Sequence, residues 1–455
     1  MKERLRQFLQ SILSPGPTPR WLRLLVYGGL VCGAFWYAIH ASAHGRINNT
    51  NSEYNDQRVY LHYAISMADA DFGYTPRMRM PLYPWLLSHA ARPWLNDDLF
   101  SIGKTFNIIL SMVGLVALYL CLRRWLGGWI GLCFTLMAAF QLYMLRAAYV
   151  QPELLLTTLV TVTWAWVIYT MHHPKWQNGV VAGLLLCLWF LTKASAQAAL
   201  LLFLAMMGVK WLFAGRGQRM PYVVTSAVTL FCYLVPMTPY LYTSWKHFHD
   251  PFYNAQSKYY LWCEDVDDKH RVQKLNLDMN LDNLNKDPKP LPSRQTYMEN
   301  HKGHVLRDMK ERFFKGTAIM FKLAFMDYTP FYLLVGIFAA GAVWGTWRAW
   351  PQSIATLWEW KWECLYVLVL ASAFVVLFGW FTPIKVGPRL IESVTLAPAF
   401  FFAAATHRFL KGQTETIGGI QVSMEKLFVV LFLLVWIPLT FLQAPADLTS
   451  GYFGG

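Results

Sequence analysis

The feature that most constrains this chain is a succession of long apolar runs divided by short, charged connections. A run of about 20 apolar residues can cross the hydrocarbon core of a bilayer as a helix, and a helix satisfies its own backbone hydrogen bonds within lipid. Eleven such runs are recognisable in the 455 residues, at 22–40, 104–122, 127–146, 153–171, 178–196, 197–214, 221–243, 328–347, 362–381, 390–408 and 426–443. The sequence therefore predicts an all-α, polytopic transmembrane protein with about 11 spans.

Polar residues set the boundary between two of these runs. The apolar stretch from 178 to 214 holds Lys193 and Gln197 near its middle and is too long for a single crossing. It predicts a tight helical hairpin that turns near residue 196.

Lysine and arginine predict the orientation of the chain, because short cytoplasmic loops carry an excess of both. Basic residues flank the first span and recur at every second connection, at Arg123, Arg124, Lys175, Lys210, Arg216, Arg219, Arg348, Arg408 and Lys411. We expect these connections and the amino terminus to be cytoplasmic, which places the segments 41–103 and 244–327 and the carboxyl terminus on the opposite face. The first span has no small-residue cleavage site after it, so it is expected to remain as a permanent helix.

The formal net charge of +14 does not predict a nucleic-acid partner. Most of the cytoplasmic positive charge flanks helix ends, where anionic lipid headgroups account for it. Of the seven cysteines only Cys263 lies in a polar loop, so neither a disulfide framework nor a zinc spacing is present in the sequence.

The two long outer segments hold nearly all of the unusual polar content. Segment 41–103 is apolar at helical intervals, which predicts two short amphipathic helices lying along the membrane interface. Segment 244–327 begins with aromatic residues and continues through an acidic, Asn-rich stretch, which predicts a small ordered domain or lid. The expected organisation is a transmembrane catalytic module at 1–243, an outer loop or lid at 244–327 and further transmembrane helices at 328–455.

Motifs in the first outer segment resemble those of a known superfamily. Asp56-Gln57-x-x-Tyr60-x-x-x-Ala64 is followed by Gly73-Tyr74-Thr75-Pro76-Arg77 and by Pro81-Leu82-Tyr83-Pro84-Trp85. This order resembles the first extracytoplasmic loop of the GT-C glycosyltransferases, and most closely the branch of the protein O-mannosyltransferases and the lipid A aminoarabinose transferase. Further matching motifs are Val150-Gln151-Pro152-Glu153, Phe190-Leu191-Thr192-Lys193 and Lys385-Val386-Gly387-Pro388-Arg389.

The resemblance implies a glycosyltransferase that takes one sugar from a polyprenyl-phosphate or dolichyl-phosphate carrier at the outer leaflet, with inversion. It places the general base on Asp56. Chemistry requires such a base, because the acceptor hydroxyl loses its proton as the glycosidic bond forms, and a positioned carboxylate accelerates that step by roughly 10²- to 10⁴-fold. The leaving group is a phosphate, so no strong general acid is needed.

The departing phosphate does need positive charge around it. Candidates for carrier-phosphate binding are Arg79, Lys193, Lys385 and Arg389, with Arg77 beside the first of them. The resemblance implies that Arg389 contacts the carrier phosphate. Phosphate binding has an alternative for three of these residues. Arg77 and Arg79 could instead be a solvated interfacial pair. Lys193 could instead extend to the membrane surface, although an ammonium in an apolar stretch is costly without a partner.

Glu153 is a candidate for orienting the acceptor or holding a cation of the site. It follows Pro152 at the start of a helix, where an acid also stabilises the helix dipole without any chemistry. Arg58, Tyr60 and Tyr83 belong to the same outer loop and are assigned with Glu153 to orientation of the acceptor or the site.

No metal or other cofactor is expected. The superfamily usually has a second acid directly after the first, whereas this chain has Gln57 there. No set of His or carboxylate residues at ligand spacing replaces the missing acid.

A transporter or lipid flippase is the competing class, because intramembrane charges such as Lys193 would serve it too. Internal repeats and paired interrupted helices, which are typical of transporters, are not recognisable in the sequence. A receptor or assembly factor using 244–327 to bind a partner is a third class. We expect an enzyme of the bacterial cytoplasmic membrane that transfers a sugar to a glycan, lipid or protein acceptor on the extracytoplasmic face.

Overall fold

The computed structural model of the chain describes residues 2–52, 56–69, 79–91, 98–277, 291–384 and 389–449. These residues form helices almost throughout. The helices before the second long segment are α1 (Lys2–Leu13), α2 (Arg20–Asn48), α3 (Gln57–Asp69), α4 (Leu82–Ala91), α5 (Leu99–Ala138), a π-helical turn (Ala139–Tyr143), α6 (Met144–Arg146), α7 (Glu153–His172), α8 (Trp176–Thr192), α9 (Ala196–Phe213), a 3₁₀ turn (Arg216–Gln218), α10 (Met220–Leu234), a 3₁₀ turn (Val235–Met237) and α11 (Thr238–Phe248).

The remaining elements include one small hairpin of strands. They are α12 (Ala255–Lys258), a 3₁₀ turn (Tyr260–Trp262), α13 (Val266–Leu277), α14 (Arg294–Asn300), α15 (Val305–Asp327), α16 (Thr329–Arg348), α17 (Trp350–Glu359), α18 (Lys361–Trp380), α19 (Arg389–Leu410), β1 (Thr414–Ile417), β2 (Ile420–Ser423) and α20 (Met424–Thr449). The two strands pair antiparallel across Gly418 and Gly419, both at positive φ as a two-residue turn requires.

Eight helices among the described residues are long and apolar enough to cross a membrane, against the eleven spans that the sequence predicts. They are Arg20–Asn48, Leu99–Arg146, Glu153–His172, Ala196–Phe213, Arg216–Lys246, Thr329–Arg348, Lys361–Trp380 and Met424–Phe441. The helix Trp176–Thr192 is apolar but shorter, with 17 residues. The Arg389–Leu410 helix is outside the eight, so its crossing stays a prediction.

The stretch Leu99–Arg146 folds back on itself at Gly127. This residue has φ 66° and ψ 178°, values that a helix interior excludes. After the turn the chain runs back towards the start of α5. The Asn107 amide, near that start, donates to the Tyr149 carbonyl at 2.5 Å. A side chain at residue 127 would collide with the His407 ring, so both the dihedral angle and the space require glycine.

Helix α7 is the centre of the bundle, with 83% of its apolar window buried against 6% for α2. It contributes to two large apolar cores. One core joins α2, the α5 hairpin, α16, α19 and α20, and the other joins α8, α9, α10 and α18. Because α7 lies between both cores, its first residues are held in a fixed place.

The end of the bundle at which α7 finishes carries a buried ion pair. Lys210 of α9 pairs with Glu363 of α18, whose side chain is 1% exposed, and Lys210 also donates to the Met171 carbonyl at 2.8 Å. His172 stacks on Trp360 with ring centroids 3.9 Å apart. We call the Lys210–Glu363 pair the distal lock. Together with the bond from Lys210 to Met171, it connects α7, α9 and α18 at the end opposite to residue 153.

The segment after α11 folds onto the end of the bundle where α7 begins. His301 contacts two acids, Asp308 at 2.7 Å and Glu264 at 3.1 Å. Arg312 of α15 donates to the carbonyls of Cys263 and Trp380, both at 2.9 Å. These contacts fasten the segment to α18 and hold it beside the site described next.

Candidate active site

Asp56 is the residue immediately before α3, and it has a left-handed backbone with φ 71°. That conformation costs most residues roughly 1–2 kcal/mol and is best tolerated by Gly, Asn and Asp. Strained residues of this kind cluster at functional sites, where the surrounding structure holds them in place. The observed outlier therefore marks Asp56 independently of any motif.

Arg79 forms an ion pair with Asp56, with Nη2 and Oδ2 3.0 Å apart. The guanidinium is 12% exposed and lies 5.8 Å from the centre of the Tyr60 ring. Burial alone would lower the pKa of Arg79, but the charge of Asp56 offsets it and the pKa is raised overall. Arg79 is thus a permanent cation that orients the carboxylate.

Two tyrosines support this pair from behind. The rings of Tyr60 and Tyr83 meet edge to face at a centroid distance of 5.4 Å. Tyr83 is 1% exposed, and its hydroxyl has no hydrogen-bond partner among the described residues. Burial, followed by the charge of Glu153, raises the pKa of Tyr83, so this hydroxyl stays protonated.

Glu153 is the first residue of α7, after Pro152. One carboxylate oxygen, Oε2, is buried and has no hydrogen-bond partner in the described part of the chain. A buried carboxylate oxygen without a donor is costly, so this oxygen can accept a further hydrogen bond. The side chain faces the same cavity as Asp56.

Lys193 lies in the break between α8 and α9 that the sequence predicts. Its backbone is extended, with φ −159° and ψ 129°, and Trp189 closes the turn by donating from Nε1 to the Ser195 hydroxyl at 3.2 Å. The ammonium lies 6.0 Å from the centre of the Phe378 ring. The break brings this cation to the cavity wall.

A cavity of about 260 Å³ connects these groups. It brings together four separate stretches of the chain that the sequence assigns to the site, represented by Asp56 and Tyr60, Arg79, Glu153, and Lys193. The remaining lining includes Met80, Leu156, Thr192, Ser195, Gln197, Leu377, Phe378, Phe381 and Ile384. The lining therefore combines two acids, Asp56 and Glu153, and the cations Arg79, Lys193 and Lys269 with a larger number of apolar residues.

Five candidate residues are placed differently from the rest or lie outside the described structure. Tyr83 supports Tyr60 and does not line the cavity, and Arg58 is exposed on the outside of α3. Arg389 opens α19 as predicted, but its side chain is outside the described part of the structure. Lys385 and Arg77 lie outside the described residues.

Five lining residues come from the second outer segment, and the sequence did not assign any of them individually to the site: Asn254, Ser257, Tyr260, Leu261 and Lys269. The Lys269 ammonium has no ion-pair partner among the described residues. An aromatic-rich start to the segment signalled Tyr260, whereas nothing in the pattern of 264–277 distinguished Lys269 from a surface lysine. No group of three or more His, Cys, Asp or Glu side chains suited to a metal occurs in the described ranges.

Comparison with known proteins bears on the fold. No protein-family model and no curated protein sequence matches the chain. Among solved structures, the archaeal oligosaccharyltransferase AglB from Archaeoglobus fulgidus, in complex with an inhibitory peptide and a dolichol-phosphate, aligns with a TM-score of 0.50 and 15% identity over 93% of this chain and 56% of that one.

Two further structures of the Archaeoglobus fulgidus oligosaccharyltransferase align similarly. The form tethered with an acceptor peptide containing the NVT sequon has a TM-score of 0.51 and 12% identity, over 93% of this chain and 56% of that chain. The complex with Zn and sulfate has a TM-score of 0.51 and 14% identity, over 92% and 53%. The chain spans little more than half the length of these proteins, and the likeness is one of fold.

Proposed function

We propose that this protein is a membrane glycosyltransferase of the GT-C type, which moves a sugar from a polyprenyl-phosphate carrier to an acceptor with Asp56 as general base. The observation that carries the proposal is the strained Asp56, paired with Arg79, facing one cavity together with Glu153 and Lys193. The oligosaccharyltransferase fold supports it, since structures of that fold are described with a dolichol-phosphate and with an acceptor peptide.

The proposed reaction is a single displacement. The acceptor hydroxyl oxygen attacks the anomeric carbon, its proton passes to the Asp56 carboxylate, and the bond from the anomeric carbon to the phosphate oxygen breaks with its electron pair moving to the phosphate. The products are the glycosylated acceptor and polyprenyl phosphate. Attack from the face opposite to the leaving group inverts the anomeric configuration.

Each side chain has one task in this scheme. Arg79 holds the base in line, because it contacts Asp56 through Oδ2. Lys193, and Lys269 from the second outer segment, stabilise the charge on the departing phosphate in a site partly shielded from water. Glu153 accepts hydrogen bonds from the acceptor or the sugar through its unpartnered oxygen. Lys385 and Arg389 are proposed as further phosphate contacts from the motif before α19.

The motif resemblance to the branch that includes the protein O-mannosyltransferases and the lipid A aminoarabinose transferase supports a single sugar as the transferred group. We therefore propose a carrier with one sugar, used at the extracytoplasmic face of a bacterial cytoplasmic membrane.

The test uses the purified chain in lipid nanodiscs with synthetic polyprenyl-phosphate monosaccharides carrying glucose, mannose, galactose or N-acetylglucosamine. Release of polyprenyl phosphate with loss of the donor, in an extract of the parent envelope as acceptor source, is the expected result. In parallel, mass spectrometry of lipid-linked sugars in a deletion strain should show one accumulating species. If the donors stay unchanged in both experiments, and intact carrier crosses the membrane of liposomes that contain the protein, the protein is instead a flippase.

A further inference from the structure

Gln57, the first residue of α3, is fully buried, and its side-chain amide faces that of Asn49, just after the end of α2. Gln57 Nε2 donates to Asn49 Oδ1 at 2.7 Å, and Asn49 Nδ2 donates to Gln57 Oε1 at 2.9 Å. Each amide supplies one donor and one acceptor, so the two side chains close a ring of two hydrogen bonds. We call Asn49 and Gln57 the amide pair.

The amide pair also binds the turn that precedes α7. The Val150 backbone N–H donates to Gln57 Oε1 at 2.8 Å, and Asn49 Nδ2 donates to the Ala148 carbonyl at 2.8 Å. Two side chains thereby join three stretches that are remote in sequence: the end of α2, the start of α3 and the turn at 148–150. All three are buried at these contacts.

The two cavity acids are attached directly to these joined stretches. Asp56 immediately precedes Gln57, and Glu153 follows Val150 by one short turn. The left-handed backbone of Asp56 persists only if its surroundings fix it, and its neighbour Gln57 makes three buried side-chain hydrogen bonds. The amide pair therefore determines where both carboxylates stand relative to each other.

We propose that the amide pair is the positioning device of this site: it holds Asp56 in its strained conformation and in register with Glu153. The catalytic importance of this positioning rests on the proposed glycosyl transfer. It gives the residue at 57 a definite chemistry, because a carboxylate there could not donate to Asn49 Oδ1, and an apolar side chain would leave the Val150 N–H without an acceptor. Gln57 and Asn49 are positioning residues and do not touch substrate.

The test compares Gln57→Leu, Asn49→Leu and the double variant in nanodiscs, using the polyprenyl-phosphate sugar that the parent consumes. Misplacing a reacting group by about 1 Å costs on the order of 100-fold, so kcat should fall by about 10- to 100-fold while the donor KM stays within about threefold. The double variant should be no slower than the slower single variant, since the two residues act as one unit. The exchanged pair N49Q/Q57N, which restores both amides, should recover part of the lost kcat.

Tyr37→Phe is the matched control, because the Tyr37 hydroxyl makes a buried hydrogen bond with the Ser111 hydroxyl at 2.7 Å, between α2 and α5, and has no hydrogen bond to the amide pair or to the turn at 148–150. It should lower thermal stability with kcat nearly unchanged. A Gln57→Leu kcat within about threefold of the parent, or an equal loss in Tyr37→Phe, would overturn the positioning role.

Hydrogen exchange supplies a readout that does not depend on activity. Gln57→Leu should accelerate exchange in both 56–60 and 148–153, whereas Tyr37→Phe should leave exchange in both unchanged. Acceleration in 56–60 alone would overturn the coupling between the two acids. If Gln57→Leu accelerates exchange in both segments but the parent consumes no lipid-linked sugar, the result would support the positioning device and contradict the proposed glycosyl transfer.

Discussion

Asp56 Oδ2 and Arg79 Nη2 lie 3.0 Å apart, and they join the residue before α3 to a residue just before α4. The pair therefore fixes two short helices as well as two charges. Because neither helix is long enough to be stable by itself, we conclude that the acid–cation pair and the helices stabilise one another. The shape of the cavity beside Asp56 thus depends on the same contact that orients its carboxylate.

Replacing Asp56 by Asn should abolish transfer, because the amide keeps the shape but cannot accept the proton. We expect turnover to fall by roughly 10²- to 10⁴-fold, with polyprenyl-phosphate binding nearly intact. The measurement is donor consumption by purified variants in nanodiscs. Asp69→Asn, at the exposed far end of α3, is the matched control and should retain full activity. Turnover of Asp56→Asn within threefold of the parent would remove it from the role of base.

Removing positive charge from the cavity should weaken carrier binding more than folding. Loss of one charge-assisted hydrogen bond corresponds to about 10- to 100-fold in affinity, and we expect this range for Lys193→Met, Lys269→Met and Arg389→Met. Arg79→Ala should also weaken carrier binding, but by less than these three variants. Titration with polyprenyl phosphate measures the effect, and Lys175→Met, exposed at the other end of the bundle, is the control. Equal affinities in parent and variants would make these cations structural.

The second outer segment should become protected when the carrier binds. Asn254 and Tyr260 line the cavity wall, so a ligand within it would restrict the chain around them. We expect hydrogen exchange in 253–262 to slow when polyprenyl phosphate is added to the full chain. Exchange that stays constant across the whole of 244–277 would leave the segment without the lid function.

His301 should make the attachment of that segment depend on pH. Its hydrogen bond with Asp308 raises the pKa of His301, partial burial opposes the effect, and Glu264 adds to it. A raised folded-state pKa means that the stabilisation is fully present below the ordinary value of about 6.5 and is lost as pH rises through the raised value. Exchange in 294–308 should therefore accelerate above that pH. His301→Gln should flatten this profile, and the exposed His304→Gln should leave it unchanged.

Activity should survive exhaustive chelation of divalent metals. The prediction follows from the sequence, in which an amide stands where the superfamily usually has a second acid, so that Arg and Lys alone neutralise the phosphate. Donor consumption is measured before and after dialysis against chelator. Activity that disappears and returns with one divalent cation would show that the site uses a metal.

Local chemistry made part of this site predictable. Lys193 and Gln197 interrupt an apolar stretch, and a helix break at 193–195 follows because a charge in lipid must reach a polar surface. Asp56, Arg79, Glu153 and Lys193 were each identified from motifs, and the fold brings them to one cavity. Whether each plays its assigned part remains a prediction.

Pairings between remote stretches were not predictable. Arg79 was assigned to the carrier phosphate, yet the structure pairs it with Asp56, a contact that depends on how α3 and α4 pack. In the sequence, Gln57 was interpreted only as the absence of an acid. Its amide binds the turn at 148–150, and nothing in the sequence near residue 57 indicates that contact. Lys269 reaches the cavity only through the folding of 244–277, which follows no periodicity.

The distal lock limits how the cavity can change its width. Lys210 and Glu363 join α9 and α18 at one end, while the opposite end of α18 and the break before α9 form the cavity wall. Separating a buried ion pair costs about 3–5 kcal/mol, so these helices cannot readily slide apart along their whole length. While the Lys210–Glu363 pair stays closed, widening of the cavity would take the form of a rotation about that pair. Helix α18 has 20 residues and is about 30 Å long, so a tilt of about 10° moves its cavity end by roughly 5 Å. A small angular change at the far face of the bundle would therefore be enough to widen or narrow the cavity at the other.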